Sequence, residues 1–460
     1  MKEGNKVILK SIHGFVWGLP ALVGILGVGL LLTLKTRFVQ LRLFPRAIRQ
    51  LLRKPTGEGI SPFRALCTAL AATVGTGNLI GVAGAIAIGG PGAIFWMWVS
   101  GFLGMATKFA EVTLAVHYRT QDHGEYLGGP MYILPKALGN KWMPLAVCYA
   151  LLGLAASFGV GNAVQINAVA SGIQAVIPLT PRMALGLGLL LAVALGAVLW
   201  GGAKRIGAVA EVLIPVLSVF YLLLCMIVLF LRREAVGNAL LQIFRGAFSP
   251  SAVTGGAVGS VFGTLRTGCS RGVFTNEAGM GTASMAHACA EAENPVDQGC
   301  LGILEVFLDT IVICTMTALV ILVSGVPIPY GSEAPELTST AFSAVCGSWA
   351  GVFLAVALGC FAFATVLGWG LYGSRCAVFL FGHRSIPLFT LAQVLTVVLG
   401  TILNTQKLWL LAETLNGMMA LPNLLMLILL LPEITSMADK TDRASPGPPE
   451  KRILSVSGKG

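Results

Sequence analysis

Apolar residues in this chain come in long blocks that no charge interrupts. Residues 15–34, 65–107, 142–181, 212–231, 246–265, 310–332, 337–374, 385–406 and 414–432 contain no Lys, Arg, Asp or Glu. A helix of roughly 20 apolar residues crosses a bilayer's hydrocarbon core and pairs its own backbone groups on the way. Each block therefore predicts one or two membrane-spanning helices. The 65–107 block divides at Gly89-Gly90-Pro91-Gly92, a run that cannot hold a helix interior and reads as a tight turn. Eleven helices result, near 14–34, 66–88, 93–117, 143–176, 183–200, 207–231, 257–290, 299–324, 350–380, 386–404 and 408–432.

Composition agrees. The 460 residues are 55% hydrophobic and 11% charged, with mean hydropathy +0.82, whereas a soluble domain carries about 25% charged residues. Lys and Arg then set the orientation, because loops on the cytoplasmic side carry the excess. Residues 35–64 hold Lys35, Arg37, Arg42, Arg46, Arg49, Arg53, Lys54 and Arg64. With that loop inside, the N-terminus lies outside and the C-terminus in the cytoplasm, as expected of a cell inner membrane protein. Lys2, Lys6 and Lys10 fall on the opposite side.

The net charge of +11 is then loop charge facing anionic lipid, and calls for no nucleic-acid partner. The ten cysteines form no C-x-x-C pair and lie mostly in predicted spans, which suggests neither disulfides nor a zinc site. The first helix is too long for a signal peptide and lacks a small-residue cleavage pattern, so it should be retained. Beyond Pro432 the chain turns polar, and 433–460 reads as a disordered cytoplasmic tail.

Two stretches place helix-breaking glycines and hydrogen-bonding side chains within predicted spans. Thr73-Val74-Gly75-Thr76-Gly77-Asn78 lies in the second helix. Unwinding at Gly75 and Gly77 would free amides for a carboxylate and carbonyls for a cation. Gly77-x-x-x-Gly81 also fits plain small-residue helix packing. The seventh helix holds Arg271 to Thr282, with Glu277 among apolar neighbours and a second Gly-x-Gly break. An intramembrane acid is a functional candidate, although Glu277 could equally be a structural brace. The two breaks lie five helices apart. Helices two to six and seven to eleven would then be repeats of opposite orientation, each opened by a broken helix, as in inverted-repeat secondary transporters. The chain divides accordingly into 1–64 (first helix and basic loop), 65–231 (first repeat), 232–256 (extracellular connection), 257–432 (second repeat) and 433–460 (tail).

On these residues, together with Gly89–Gly92, Phe95–Trp98, Gly128–Tyr132, Gly161, Asn162, Gln165, Phe307–Thr310 and Leu367–Trp369, the chain resembles the alanine or glycine:cation symporters. These are the sodium:alanine symporters of the amino acid-polyamine-organocation-like superfamily. The resemblance spans about 15 to 432. It implies an all-α polytopic fold of the LeuT-type 5+5 inverted-repeat kind with one additional N-terminal helix. It also implies symport of a small neutral amino acid with sodium, no enzyme activity, no organic cofactor and a monomer in membrane lipid.

A more distant similarity, to the Val-Gly-Leu-Gly-Asn stretch and Gly-Phe-Gly break of neurotransmitter-type sodium symporters, implies atomic roles. Amides around Gly75, Thr76 and Gly77 would hold the substrate carboxylate, and carbonyls beside Gly279 its ammonium. Gln165, Met280 and Trp369 would form side-chain walls. Apart from the family, Trp is often an interfacial anchor and Gln a helix-to-helix hydrogen bonder. The resemblance places sodium on carbonyls of Ala71, Val74 and Phe361 with the Thr365 hydroxyl. Ala364 departs from the family there, standing where relatives usually carry a second hydroxyl. A different cation site would combine Thr73, Asn78 and Thr275.

The remaining charges read as gating or structural groups. Arg266 and Arg271 lie in the outer half of the seventh helix and Glu413 in the outer part of the eleventh, suiting an extracellular gate. Lys108 with Glu111, and Glu305 with Asp309, share helix faces as a cytoplasmic network or gate. Proton coupling is the alternative to sodium, motivated by Ala364 and Glu277. A membrane enzyme using His117, His287, Glu291 or Glu305 is the rival from another class, and it lacks an H-E-x-x-H run or a comparable ligand cluster.

Overall fold

A computed structural model describes residues 11–52, 59–174, 180–402 and 406–443. Among them, nine continuous helices are long and apolar enough to cross a membrane, and one bent pair makes a tenth. Helix α1 (Leu19–Lys35) leads. The second predicted span is α2 (Pro62–Thr73) and α3 (Val82–Gly89), joined through a π-helical turn at Gly77–Gly81. Ser61 starts α2 by accepting from the Arg64 N–H, with Pro62 in the first turn, where its missing N–H costs nothing. Gly90, at φ +74°, makes the expected turn into α4 (Ala93–His117).

A short antiparallel hairpin follows, β1 (Thr120–Asp122) and β2 (Glu125–Leu127). Then come α5 (Pro130–Leu138) and α6 (Met143–Phe158), a π-helical turn at Gly159–Ala163, α7 (Val164–Gln174), α8 (Pro181–Leu199) and α9 (Gly202–Leu231). The expected connection over 232–256 is itself largely helical: α10 (Arg233–Phe248) buries Ala239, Ile243, Gly246 and Ala247 on one face. That 3–4-residue spacing is the stripe of an amphipathic helix.

The seventh predicted span is two pieces, α11 (Val261–Asn276) and α12 (Ser284–Ala288), separated by a non-helical segment. Neither half alone is long enough to cross, which is why it is missing from the ten. The chain continues as α13 (Pro295–Val306), a π-helical run at Phe307–Cys314, α14 (Thr315–Val323), α15 (Ser348–Phe381), α16 (Ile386–Ile402), α17 (Gln406–Met418) and α18 (Ala420–Leu429). The tail expected to be disordered from 433 begins as a helix, α19 (Leu431–Arg443). Pro432 sits in its first turn, where proline starts a helix rather than stopping one, and Ile434 and Ala438 are buried. Residues 444–460 lie outside the described residues.

Helix α4 is buried along almost its whole length, packed against α11 and α13. Glycines permit that contact: a methyl on Gly268 would lie 2.2 Å from Ala93 O. The same helix carries charge into the core. Lys108 Nζ lies 3.2 Å from Glu305 Oε1, Glu305 Oε2 lies 3.1 Å from His287 Nε2, and Gln298 Nε2 lies 2.7 Å from His287 Nδ1. One turn on, Glu111 Oε1 accepts from Gly279 N–H (2.9 Å), Gly281 N–H (3.1 Å) and Asn423 Nδ2 (2.6 Å). One carboxylate oxygen therefore ties the α11–α12 break to α4 and α18.

Two outcomes are expected from thermal unfolding of the purified protein in detergent. Gly268→Ala forces a methyl against backbone, costing about 1–3 kcal/mol, and lowers the melting temperature. Gly27→Ala, where an added methyl meets nothing within 4 Å, does not. Glu111→Ala orphans two buried N–H groups at about 1–3 kcal/mol each and destabilises more than Glu111→Gln, which keeps an acceptor. Equal losses would mean that the break is held by other contacts.

Candidate functional site

The two halves of the second span bend by 53° at the break. Val74 is extended there (φ −76°, ψ 106°). The Gly75 N–H, which an unbroken helix would give to Ala71 O, donates instead to Asn78 Oδ1 at 2.9 Å. The Ala71 carbonyl is thereby released from its helical partner. Helix α15 lies directly against this point: a methyl on Gly75 would be 2.8 Å from Thr365 Oγ1, and one on Gly368 would be 2.8 Å from Ala72 N. Thr365 donates to Phe361 O at 3.0 Å. The residues assigned to sodium by resemblance thus flank one α2–α15 contact, Ala71 and Val74 on the first helix and Phe361 and Thr365 on the second, with Ala364 fully buried.

The break opens onto a cavity of ≈ 20 Å³, room for about one water. Its lining includes Gly75, Thr76, Gly77, Gln165, Thr275 and Trp369. Thr76 Oγ1 donates to Gln165 Oε1 at 3.2 Å, and Gln165 Nε2 donates to Val160 O at 3.2 Å. The π-helical turn at Gly159–Ala163 makes that carbonyl available to a side chain. Trp369 packs on Gly161, where any side chain would strike it: an added methyl would lie 2.4 Å from its Cβ. The indole is 1% exposed and meets Tyr372 edge-on, with ring centroids 5.6 Å apart. An amino acid would need this pocket to widen.

The second break contributes differently from the expectation. Phe274, Thr275 and Glu277 line the cavity, and Gly279 and Met280 do not. Gly279 is occupied on both sides, its N–H by Glu111 and its carbonyl by Asn423 Nδ2 at 2.9 Å. The Met280 carbonyl accepts from the Tyr149 hydroxyl at 2.9 Å, and its side chain is fully buried. The reason is the path of the chain. Glu277 at φ +53°, Gly279 at +96° and Gly281 at +75° carry the segment away from the pocket towards α1 and α18. Glu277 accepts from the Thr282 hydroxyl at 2.6 Å, a brace across the break that also borders the cavity.

The alternative cation group is likewise rearranged. The Thr73 and Thr275 hydroxyls donate to their own helices, at Ala69 O (3.3 Å) and Gly272 O (2.8 Å). Asn78 Nδ2 donates to Asp309 Oδ1 at 2.7 Å. Sequence spacing groups Asp309 with Glu305 as a cytoplasmic network or gate. It sits instead at the break, fully buried, with Thr310 Oγ1 donating to Oδ2 at 2.8 Å and Asn276 Nδ2 donating to Thr310 Oγ1 at 3.1 Å. An unbroken run of hydrogen bonds therefore joins the first break to the end of α11 through one carboxylate. The signal in the sequence was an acid in an apolar helix beside Thr310, but its partner Asn78 lies 231 positions away.

The expected outer gate does not form as a pair. Arg271 lies 3.9 Å from the exposed Glu333, and Glu413 lies 3.2 Å from His13 Nε2, while the Glu413 carbonyl accepts from the Trp17 indole. Each found a nearer partner in an element whose approach the sequence could not reveal.

Comparison with known proteins places this arrangement. Residues 2–445 match the model of the sodium:alanine symporter family. The chain is 42% identical to the sodium/alanine symporter AgcS of Methanococcus maripaludis, over 92% of this chain and 94% of that one. It is 37% identical to the amino-acid carrier protein AlsT of Bacillus subtilis (90% and 88% covered). It is 36% identical to the probable sodium/glutamine symporter GlnT of Bacillus subtilis (97% and 93% covered). Among solved structures, MhsT in complex with L-phenylalanine superposes with TM-score 0.55 at 15% identity, over 84% of this chain and all of that one. That likeness supports the LeuT-type architecture. By the family match along nearly its whole length, and by apolar spans interrupted at two unwound points, this multi-pass membrane chain belongs to the sodium:alanine symporter family.

Proposed function

We propose that the protein imports alanine and glycine with sodium by alternating access, across a cell inner membrane with its N-terminus outside and its C-terminus in the cytoplasm. The observation that carries the sodium reading is the α2–α15 contact, where Gly75 lies against the Thr365 hydroxyl beside the cavity while the Ala71 carbonyl, one turn earlier, has lost its helical donor. Oxygen-only donors suit a hard cation. With the Gly75 N–H taken by Asn78, Thr76 and Gly77 are left to offer amides to a carboxylate, and Gln165 and Trp369 bound the space for a side chain. The likeness to a sodium/alanine symporter supports alanine as the substrate. Binding from one face, closure over the cavity and release to the other then carry ion and substrate together.

The energetics suffice. One charge moved through 100 mV is worth about 2.3 kcal/mol, and a tenfold ion gradient adds about 1.4 kcal/mol. Together they support accumulation of roughly several hundredfold per ion. Proton coupling is the second reading. It is favoured by Ala364, which offers no hydroxyl, and by the buried acids Glu277 and Asp309 around the breaks.

Uptake of labelled alanine and glycine into proteoliposomes decides between them. A sodium gradient is expected to drive accumulation at constant pH; uptake that follows a pH gradient and ignores sodium would establish the proton reading. Thr365→Ala is expected to raise the sodium concentration for half-maximal uptake about tenfold, the loss of one ligand worth about 1.4 kcal/mol. The alanine requirement at saturating sodium should stay nearly constant. Equal changes in both would assign Thr365 to the pocket rather than to the ion.

A further inference from the structure

Away from the cavity, on the membrane face shared with the basic 35–64 stretch, three side chains of metal-ligating type converge. The β1–β2 hairpin closes through a two-residue turn, with Asp122 opposite Glu125. Its central residues, His123 and Gly124, have φ +47° and +78°, the left-handed pair that a type I′ turn requires. Asn or Gly usually fills the first of these places. Here a histidine occupies it, held by a 2.9 Å contact from Nδ1 to Asp122 Oδ1. Gly382, at φ +77°, ends α15 and turns the chain so that His383 comes over the hairpin. The two imidazoles stack with centroids 4.4 Å apart and planes 14° from parallel.

We propose that Asp122, His123 and His383 form a site for a borderline divalent transition metal such as Ni²⁺ or Zn²⁺. One ligand atom from each residue lies within 4.8 Å of the others. Coordination at about 2.0–2.2 Å needs these atoms roughly 3.3–3.6 Å apart, and the exposure of the hairpin side chains, 63% for His123 and 43% for Asp122, leaves them free to close that difference. Two imidazoles with one carboxylate select such ions over sodium or magnesium. The hairpin is already anchored, because Glu125 Oε2 accepts from the buried Arg375 of α15 at 2.7 Å, and Arg119 lies over the Tyr126 ring at 3.8 Å. A bound metal adds a second tie between the hairpin and α15, the helix that carries Thr365 and Trp369.

The test is nickel binding to the untagged full-length protein in detergent, by titration calorimetry, with thermal unfolding in parallel. This readout is independent of transport, so it stands or falls separately from the symport reading. One ion per chain is expected in the micromolar range, with a rise in melting temperature. His123→Ala and His383→Ala, at solvent-accessible positions away from the cavity, should melt like the unsubstituted protein without nickel. Each should bind nickel at least about tenfold more weakly, and Asp122→Asn should bind it less tightly than the unsubstituted protein. Absence of binding below about 1 mM, or histidine variants that bind like the original, would overturn the proposal and leave the rings as a stacking contact.

Discussion

An unpaired peptide group in hydrocarbon costs several kcal/mol, and this protein unwinds two helices among its membrane spans. A released amide then needs an acceptor outside the regular backbone ladder of its helix. Asn78 supplies one for Gly75, and Glu111 supplies a shared acceptor for Gly279 and Gly281. These side chains in turn need partners, which Asp309 and Asn423 provide. The polar core is thus a consequence of the breaks, assembled outwards from backbone groups that secondary structure leaves unpaired.

Once present, the buried acids need compensation of their own. Lys108 and His287 surround Glu305, while Glu111 is met by amides. Helix α4 brings Lys108 and Glu111 in one turn apart, so a single rigid span organises both the charge cluster and the second break. Among the described residues, π-helical segments at Gly77–Gly81, Gly159–Ala163 and Phe307–Cys314 serve the same need for partners. A π-turn leaves a carbonyl without its usual helical donor, and at Val160 the Gln165 side chain takes the place of that donor. The result is a small pocket whose walls are set by hydrogen bonds as much as by packing.

Much of this was legible in advance. Charge-free blocks located the spans to within a few residues, since bilayer thickness fixes helix length whatever the tertiary contacts. The Gly89–Gly92 turn was readable because a proline between glycines has few backbone options. Paired Gly-x-Gly breaks five helices apart carried the repeat and, with the family motifs, the positions of Thr76, Gln165, Thr365 and Trp369 about one cavity. Less legible were elements whose state depends on what covers them. The amphipathic α10 reads as an extracellular connection until it packs, and α19 carries in its first turn a proline that could equally have ended a helix.

The sequence by itself determined what hydrophobicity and backbone stereochemistry determine locally, a helical membrane protein with its spans and its two unwound points, and its motifs carried the resemblance to the family. Only the tertiary structure decided which of the freed groups face the cavity. Gly279 and Met280 sit in a motif that promised substrate contact, yet three positive φ angles and the pull of Glu111 and Asn423 turn them elsewhere. Asp309 looked like a gate residue and became the link between the breaks. Arg271 and Glu413, candidates for one gate, pair with Glu333 and His13. The physical reason is common to all of them. A buried polar group is satisfied by whichever partner the packing of distant helices brings within about 3 Å, and no local pattern encodes that choice.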